Sequence, residues 1–256
     1  MTATTVPTRS AGRPDRASEA SPERLARLTG ALYVLLVVLG MLGPLTLESM
    51  LVPGDAAATA DNITAADARF ELSLVAWVVI VAVDVAISVT LYLILAPVSR
   101  AQSLVAAAFR LVYSAALAAL LALLFVAGLL LSEGTGRDTE ALLALETFSA
   151  GFLAALVFFG LHLVLLGSLF YRSRYIPRVL GVLLVAAGIG YVIDSLASLV
   201  VEGYGGVLAV VLLTPAVLGE VGLTLWLLVK GVAVPGPSED RDSAPRGAHG
   251  AGAAGG

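Results

Sequence analysis

The chain has no cysteine, which excludes disulfide bridges, thiolate catalysis and cysteine-ligated metal centres together. Histidine is scarce as well: of the two present, His249 lies in a low-complexity tail, and His162 sits in the apolar run FFGLHLVLLG. Charged residues make up 13% of the chain against 59% hydrophobic residues, and the mean hydropathy is +0.96, far from the balance of a water-soluble domain. There is no H-E-x-x-H pair, aspartate-rich phosphate motif, Walker loop or G-x-S-x-G turn, so no familiar hydrolytic or nucleotide chemistry is signalled. No basic domain or aromatic-basic surface points to nucleic acid. The net charge of −4 says little about partners, because the signs are segregated along the chain.

What the sequence does have is long apolar blocks. Six emerge, at about residues 28–47, 72–95, 104–131, 148–170, 177–201 and 207–229. A helix needs roughly 20 residues to cross the hydrocarbon layer, and each block is near or above that length. Helices satisfy their own backbone groups there, whereas isolated strands cannot, and the alternation of a barrel strand is absent. The expected fold is therefore all-α, a polytopic membrane protein with six transmembrane helices. Residues 1–27, rich in Ala, Pro, Ser and Arg, read as a disordered cytoplasmic arm, and residues 232–256 as a disordered cytoplasmic tail.

Charge placement fixes an expected orientation. With both termini cytoplasmic, thirteen of the fifteen basic residues fall on the inner side, and only Arg69 and Arg137 fall outside. The two long outer connections are acidic. The first carries Glu48, Asp55, Asp61, Asp67 and Glu71, with a turn expected at Pro53-Gly54 and a short helix capped near Asp55. These loops read first as solvated surface and second as a cap that gathers cations or touches a ligand.

Five ionisable residues lie inside the blocks: Asp84, Arg110, His162, Asp194 and Glu220. A charge at bilayer depth is costly unless it snorkels, pairs, neutralises or faces protein or water. For each, structural hydrogen bonding stands beside a proton-, ion- or ligand-linked role. Asp84 has Ser88 one turn away, and Asp194 shares a face with Gly190 and Ser198, near the hydroxyl of Tyr191. Arg110, close to the cytoplasmic end of its block, reads as snorkelling, or as the partner of Glu220. His162 can donate at one nitrogen and accept at the other, and its ordinary pKa lies near physiological pH. One histidine with scattered acids is a poor metal signal, and no cofactor is called for. Gly160, Gly181, Gly190 and Gly219 are expected at close helix contacts.

The ordered motifs RLTGALYVLLVVLG, LVPGDAAATADNI, DVAISVTLYLILAPVS, FRLVYSAAL, FFGLHLVLLGSLFYRSRYIPRVLGVLLVAAGIGYVIDS and GEVGLTLWLLVKG span Arg24 to Gly231. In these the chain resembles the bacterial domain-of-unknown-function 4386 membrane protein family. The resemblance singles out Pro53, Gly54, Asp55, Asp84, Arg110, Gly160, His162, Pro177, Gly181, Gly190, Tyr191, Asp194, Gly219 and Glu220. It implies a multipass fold in a bacterial inner membrane, and assigns no reaction, substrate or catalytic residue.

The expected partners are membrane lipids and a small molecule or proton. A transport-like, proton-coupled role leads, with Asp84 or His162 carrying protons, Asp194 shaping a polar seam, and Glu220 with Arg110 forming an inner gate. The alternatives are an integral-membrane enzyme using His162 with nearby carboxylates, and a structural or regulatory membrane protein. Because the chain lacks cysteine, its orientation is directly testable. Ala57→Cys is expected to react with a membrane-impermeant maleimide in intact cells, and Ser243→Cys only after lysis; the reverse pattern would overturn the orientation.

Overall fold

The computed structural model describes residues 22–132, 136–173 and 176–231. Most of the expected N-terminal arm, the tail from residue 232, and Arg174 lie outside the described residues. Eight helices occur among those described: α1 Pro22–Leu42, α2 Pro44–Met50, α3 Ala56–Ala65, α4 Asp67–Leu95, α5 Arg100–Ser132, α6 Asp138–Arg172, α7 Arg178–Val200 and α8 Val207–Val229. Taking α1 with α2 as one span, six are long and apolar enough to cross a membrane. The all-α, six-span expectation is met.

The helices overrun the apolar blocks because backbone hydrogen bonding continues into polar turns that hydropathy does not register. The first begins at Pro22, so residues 22–27 are helical and not part of a polar arm. Proline at the first helical position followed by Glu23 favours that start, since the missing N–H would have no partner there and the acid faces the positive helix end. Residues 138–147 likewise extend the fourth span.

The first span is bent where the sequence reads as a continuous block. Pro44 has no N–H to give the carbonyl four residues earlier, so the ladder breaks between α1 and α2. Hydrogen bonds from Gly43 N to Leu39 O (2.8 Å) and from Leu47 N to Gly43 O (3.0 Å) carry the chain through the bend. Beyond α2 the expected turn and cap are present. Gly54 takes φ +75°, a conformation that favours glycine, and its N–H donates to Glu146 Oε1 on α6 (3.1 Å). Asp55 caps α3 by accepting from Ala58 N (2.9 Å). The loop is thus pinned at both its turn and its helix start.

The six spans close into a ring in chain order: α1 packs on α4, α4 on α5, α5 on α6, α6 on α7, α7 on α8, and α8 returns to α1. The outward faces are aliphatic and exposed, as at Val75, Leu129, Leu143, Val217 and Leu225, while Asp84, Arg110, Ser114 and His162 are buried. This inverts the soluble pattern and suits a bilayer, where lipid solvates the aliphatic face and polar groups must find partners inside. Gly231 lies near Glu23, so the two ends of the described chain meet on one side, here called the termini side; α3 lies on the other.

The most extensive close contact is between the antiparallel helices α6 and α7. A Cβ added at Gly160 would lie 2.7 Å from Gly188 O, and one at Gly167 would lie 2.6 Å from Gly181 O. A Cβ at Gly181 would lie 2.7 Å from Gly167 O, and one at Gly188 would press on Gly160 O. Glycines spaced by seven on both helices therefore bring two backbones together, a geometry that any side chain would obstruct. Gly160 and Gly181 were expected at such contacts; Gly167 and Gly188 complete the pairs. Gly190 does the same toward α8, against Leu212 O, and Gly219 faces Leu183 and Leu184 of α7.

Gly167→Ala and Gly188→Ala are each expected to destabilise the protein by ~1–3 kcal/mol through overpacking. Gly40→Ala, at a helical site with open space around it, is expected to be neutral or slightly stabilising. Thermal unfolding of the three variants in one detergent checks the contrast; equal midpoints would refute the close contact.

Candidate functional site

Each of the six spans contributes to one layer of polar and aromatic groups. Tyr33, Asp84, Arg110, His162, Tyr191 and Glu220 stand nine to thirteen residues from the termini-side ends of their helices, about 14–20 Å along each axis. Arg110 is at the centre of this layer, with no solvent exposure. Its Nη2 donates to Asp84 Oδ1 at 2.5 Å, forming an ion pair between α5 and α4. Its Nη1 donates to Tyr33 Oη on α1 (3.1 Å) and to His162 Nε2 on α6 (3.3 Å). The guanidinium also lies over the rings of Tyr33 and Phe159, 5.4 and 5.2 Å from their centroids, where the negative ring faces favour a cation.

Asp84 is satisfied from two sides. Ser114, one turn beyond Arg110 on α5, donates to Asp84 Oδ2 (2.5 Å). Ser88, expected to extend the polar face of Asp84, instead donates to Ala107 O of α5 (3.1 Å). The tautomer of His162 follows from its partners. Ala106 O can only accept, so Nδ1 carries the proton in the 2.8 Å contact between them; arginine can only donate, so Nε2 is the acceptor. The result is a neutral imidazole with both nitrogens engaged.

Two expectations for Arg110 fail. It does not snorkel, because ten residues of α5 precede it and the side chain cannot cover that distance. Its ion-pair partner is Asp84 rather than Glu220, because α4 and α5 are ring neighbours while α8 packs between α7 and α1. Glu220 instead accepts from Tyr191 Oη of α7 at 3.2 Å. Asp194 is not part of the layer. It lies near the α3 end of α7, where Tyr204 folds back from the 201–206 connection and donates to Asp194 Oδ1 (2.8 Å). Pro53, Gly54 and Asp55 belong to the loop turn. Tyr33, Ser114 and Phe159 were not singled out from the sequence; Ser114 had a signal, four residues from Arg110 on the same helix face, and Tyr33 had none.

On the termini side of His162 the ring is shut. The cleft among Ser88, Tyr92, Ser103 and Ala106 has no room for a water molecule. Gln102 of α5 donates to Leu165 O (3.3 Å) and Ser168 Oγ of α6, and accepts from Arg172 (2.9 Å). On the other flank the layer opens. α8 packs on α7 along its length, from Gly190–Leu212 to Gly222–Leu180, and meets α1 closely at Gly30–Leu228. Between these contacts a cavity of about 300 Å³ lies among α1, α7 and α8. Tyr33, Tyr191 and Glu220 line it, and Val37, Val217 and Val221 stand at its edge, 52%, 64% and 49% exposed. A second cavity, about 370 Å³, lies among α2, α4 and α6, lined by Leu47, Glu48, Trp77 and Phe152. Among the described residues no three metal-ligating side chains gather.

The chemistry divides along this line. The Arg110–Asp84–His162 group is buried and charge-paired, with Arg110 Nε alone of the guanidinium nitrogens lacking a hydrogen-bond partner among the described residues, which suits holding helices together. Glu220 is partly exposed, and the cavity that it lines gives it access to a ligand. Asp84→Asn is expected to cost ~3–5 kcal/mol, because it leaves the Arg110 charge buried without a counter-charge. Asp194→Asn keeps an acceptor for Tyr204 and is expected to cost about 1 kcal/mol or less. Thermal melts of the two variants in one detergent check the order; a reversed order would refute the central pairing.

The comparisons with known proteins agree with this architecture. A protein of Archaeoglobus fulgidus, described as an uncharacterized protein, is 35% identical over 163 residues, covering 62% of this chain and 83% of that relative. No solved structure matches the chain. The model of the family described as "Domain of unknown function (DUF4386)" matches residues 28–231, which take in most of the first span and all of the other five. The chain belongs to this family and is a multipass membrane protein.

Proposed function

We propose that the protein is a transport-like membrane protein that binds a small molecule at Glu220, with the Arg110–Asp84 pair as its fixed frame. The observation that carries this reading is the cavity among α1, α7 and α8, where an acidic side chain meets an otherwise apolar, side-opening space. Pockets of this kind, apolar with a few converging polar groups, are the usual form of small-molecule sites. Pro215 of α8 stands next to Ala216 of the cavity lining and removes a helix hydrogen bond there, a break of the sort that lines sites in transporters. The reading moves the ligand- or proton-linked role from Asp84 and His162 to Glu220, since both of the former are occupied by permanent partners.

The protein is placed in the cytoplasmic membrane, the inner membrane of a bacterial cell, with both termini in the cytoplasm; the distribution of Arg and Lys supports that placement. An enzyme built on His162 has less support, because neither ring nitrogen is free and no space adjoins it. A purely structural role is favoured by the closed Arg110 network but leaves the Glu220 cavity without a purpose.

Proteoliposomes loaded with a pH-sensitive dye and given a potassium diffusion potential test the reading. Wild-type protein is expected to move protons faster than Glu220→Gln protein, by about tenfold or more, while Glu48→Gln protein matches wild type. Equal rates in wild-type, Glu220→Gln and protein-free vesicles would remove the proton-coupled reading.

A further inference from the structure

We infer that the Glu220 cavity is a site for a lipophilic ammonium compound, one positive nitrogen on a short apolar body, which enters sideways from the bilayer between α1 and α8. This rests on the reading of that cavity as a ligand site, and adds the ligand's charge and its route. Four observations carry it.

The first is charge. The ionised partner that the layer supplies, Arg110, is bonded to Asp84, so the central pair is electrically balanced and Glu220 is a further acid. Its Oε1 accepts one hydrogen bond, from Tyr191; Oε2 receives none from any described residue. A carboxylate in an apolar setting without a counter-charge favours a cation strongly, because low-dielectric surroundings strengthen the attraction. An anionic ligand would meet the same carboxylate as a repulsion; the charge of Arg110 reaches Glu220 but is buried and already bonded to Asp84.

The second is the wall. Tyr33 and Tyr191 line the cavity on either side of Glu220, and aromatic rings beside a carboxylate suit an ammonium group more than a hydroxyl. The third is the rim. Leu36, Val37, Val217 and Val221 leave no further charged group to bond a highly polar ligand, so the rest of the molecule gains affinity by burying apolar surface. The fourth is the route. Val37, Val217 and Val221 are exposed on the outward face of the ring, which in a membrane faces lipid. The Gly30–Leu228 contact shuts the seam between α1 and α8 on the termini side. A ligand that partitions into the bilayer therefore meets the mouth directly.

The test uses the full chain in phosphatidylcholine nanodiscs with three probes of one chain length: n-octylammonium, octanol and octanoate. Binding is read by saturable displacement of radiolabelled octylammonium and by the shift in unfolding temperature. Wild-type protein is expected to bind octylammonium at least tenfold more tightly than octanol, and octanoate more weakly still. Glu220→Gln should bring the ammonium and the alcohol to within about twofold of each other. Val217→Trp, at an exposed mouth position that folding does not require, should slow the association and dissociation of octylammonium at least tenfold by blocking entry.

Saturable binding in which octanol or octanoate equals octylammonium would overturn the ammonium assignment while sparing the cavity as a ligand site. An ammonium preference that survives Glu220→Gln would overturn the role of Glu220. Unchanged association and dissociation rates in Val217→Trp would overturn sideways entry. If no probe binds saturably to wild-type protein, the ligand site itself fails, and the proposed function with it.

Discussion

A guanidinium buried in a ring of apolar helices constrains everything around it. Moving such a charge from water into a low-dielectric interior costs several kcal/mol even after relaxation, and the cost is met here by geometry that four separate helices must supply. Asp84 provides the opposite charge, Tyr33 and His162 accept from one terminal nitrogen, and Phe159 presents its ring face. Ser114 and Ala106 then fix the carboxylate and the imidazole in turn. None of these contacts is local in sequence, apart from those within α5, so the Arg110 group specifies how four spans are rotated relative to one another. Lipid does not drive apolar helices together as water does, and interhelical hydrogen bonds and small-residue packing take over that role. The glycine pairs of α6 and α7 supply the second part, holding the span that bears His162 and Phe159 against the span that bears Tyr191.

The same arrangement explains why the functional groups separate. α8 packs on α7 from Gly190–Leu212 to Gly222–Leu180 and meets α1 at Gly30–Leu228, and a wedge remains among the three helices at the level of the polar layer. Glu220 sits in that wedge, touching the layer through Tyr191, which in turn meets Phe159 edge-on. A rigid, charge-balanced centre beside a side-opening acidic cavity is a division between scaffold and site. α8 carries Pro215 within it, next to Ala216 of the cavity lining.

Much of this was legible in the sequence, and the limits have physical causes. Six spans follow from block length and hydropathy, since backbone satisfaction in lipid permits little else. Pro53-Gly54-Asp55 was legible because a turn and a cap are local events. The break at Gly43–Pro44 was obscured by an apolar run that continues across it. Arg110 was placed at a helix end because its apolar block begins near Leu104, whereas the helix starts at Arg100 and buries it more deeply. Its choice of Asp84 over Glu220 depends on ring order, which no single helix encodes. Gly167 and Gly188 were discoverable from the seven-residue spacing that they share with Gly160 and Gly181; Tyr33, one apolar-compatible ring in an apolar run, was not.

The central claim is that Arg110 and Asp84 act as one buried unit, and a double-mutant cycle measures it most directly. The unfolding free energies to compare are those of Asp84→Leu, Arg110→Leu and the double variant in the same lipid or detergent. The account predicts a double variant more stable than either single one, with a coupling of about 2 kcal/mol or more, because each single change strands a buried charge that the double change removes. Additive losses, with the double variant the least stable of the three, would contradict it.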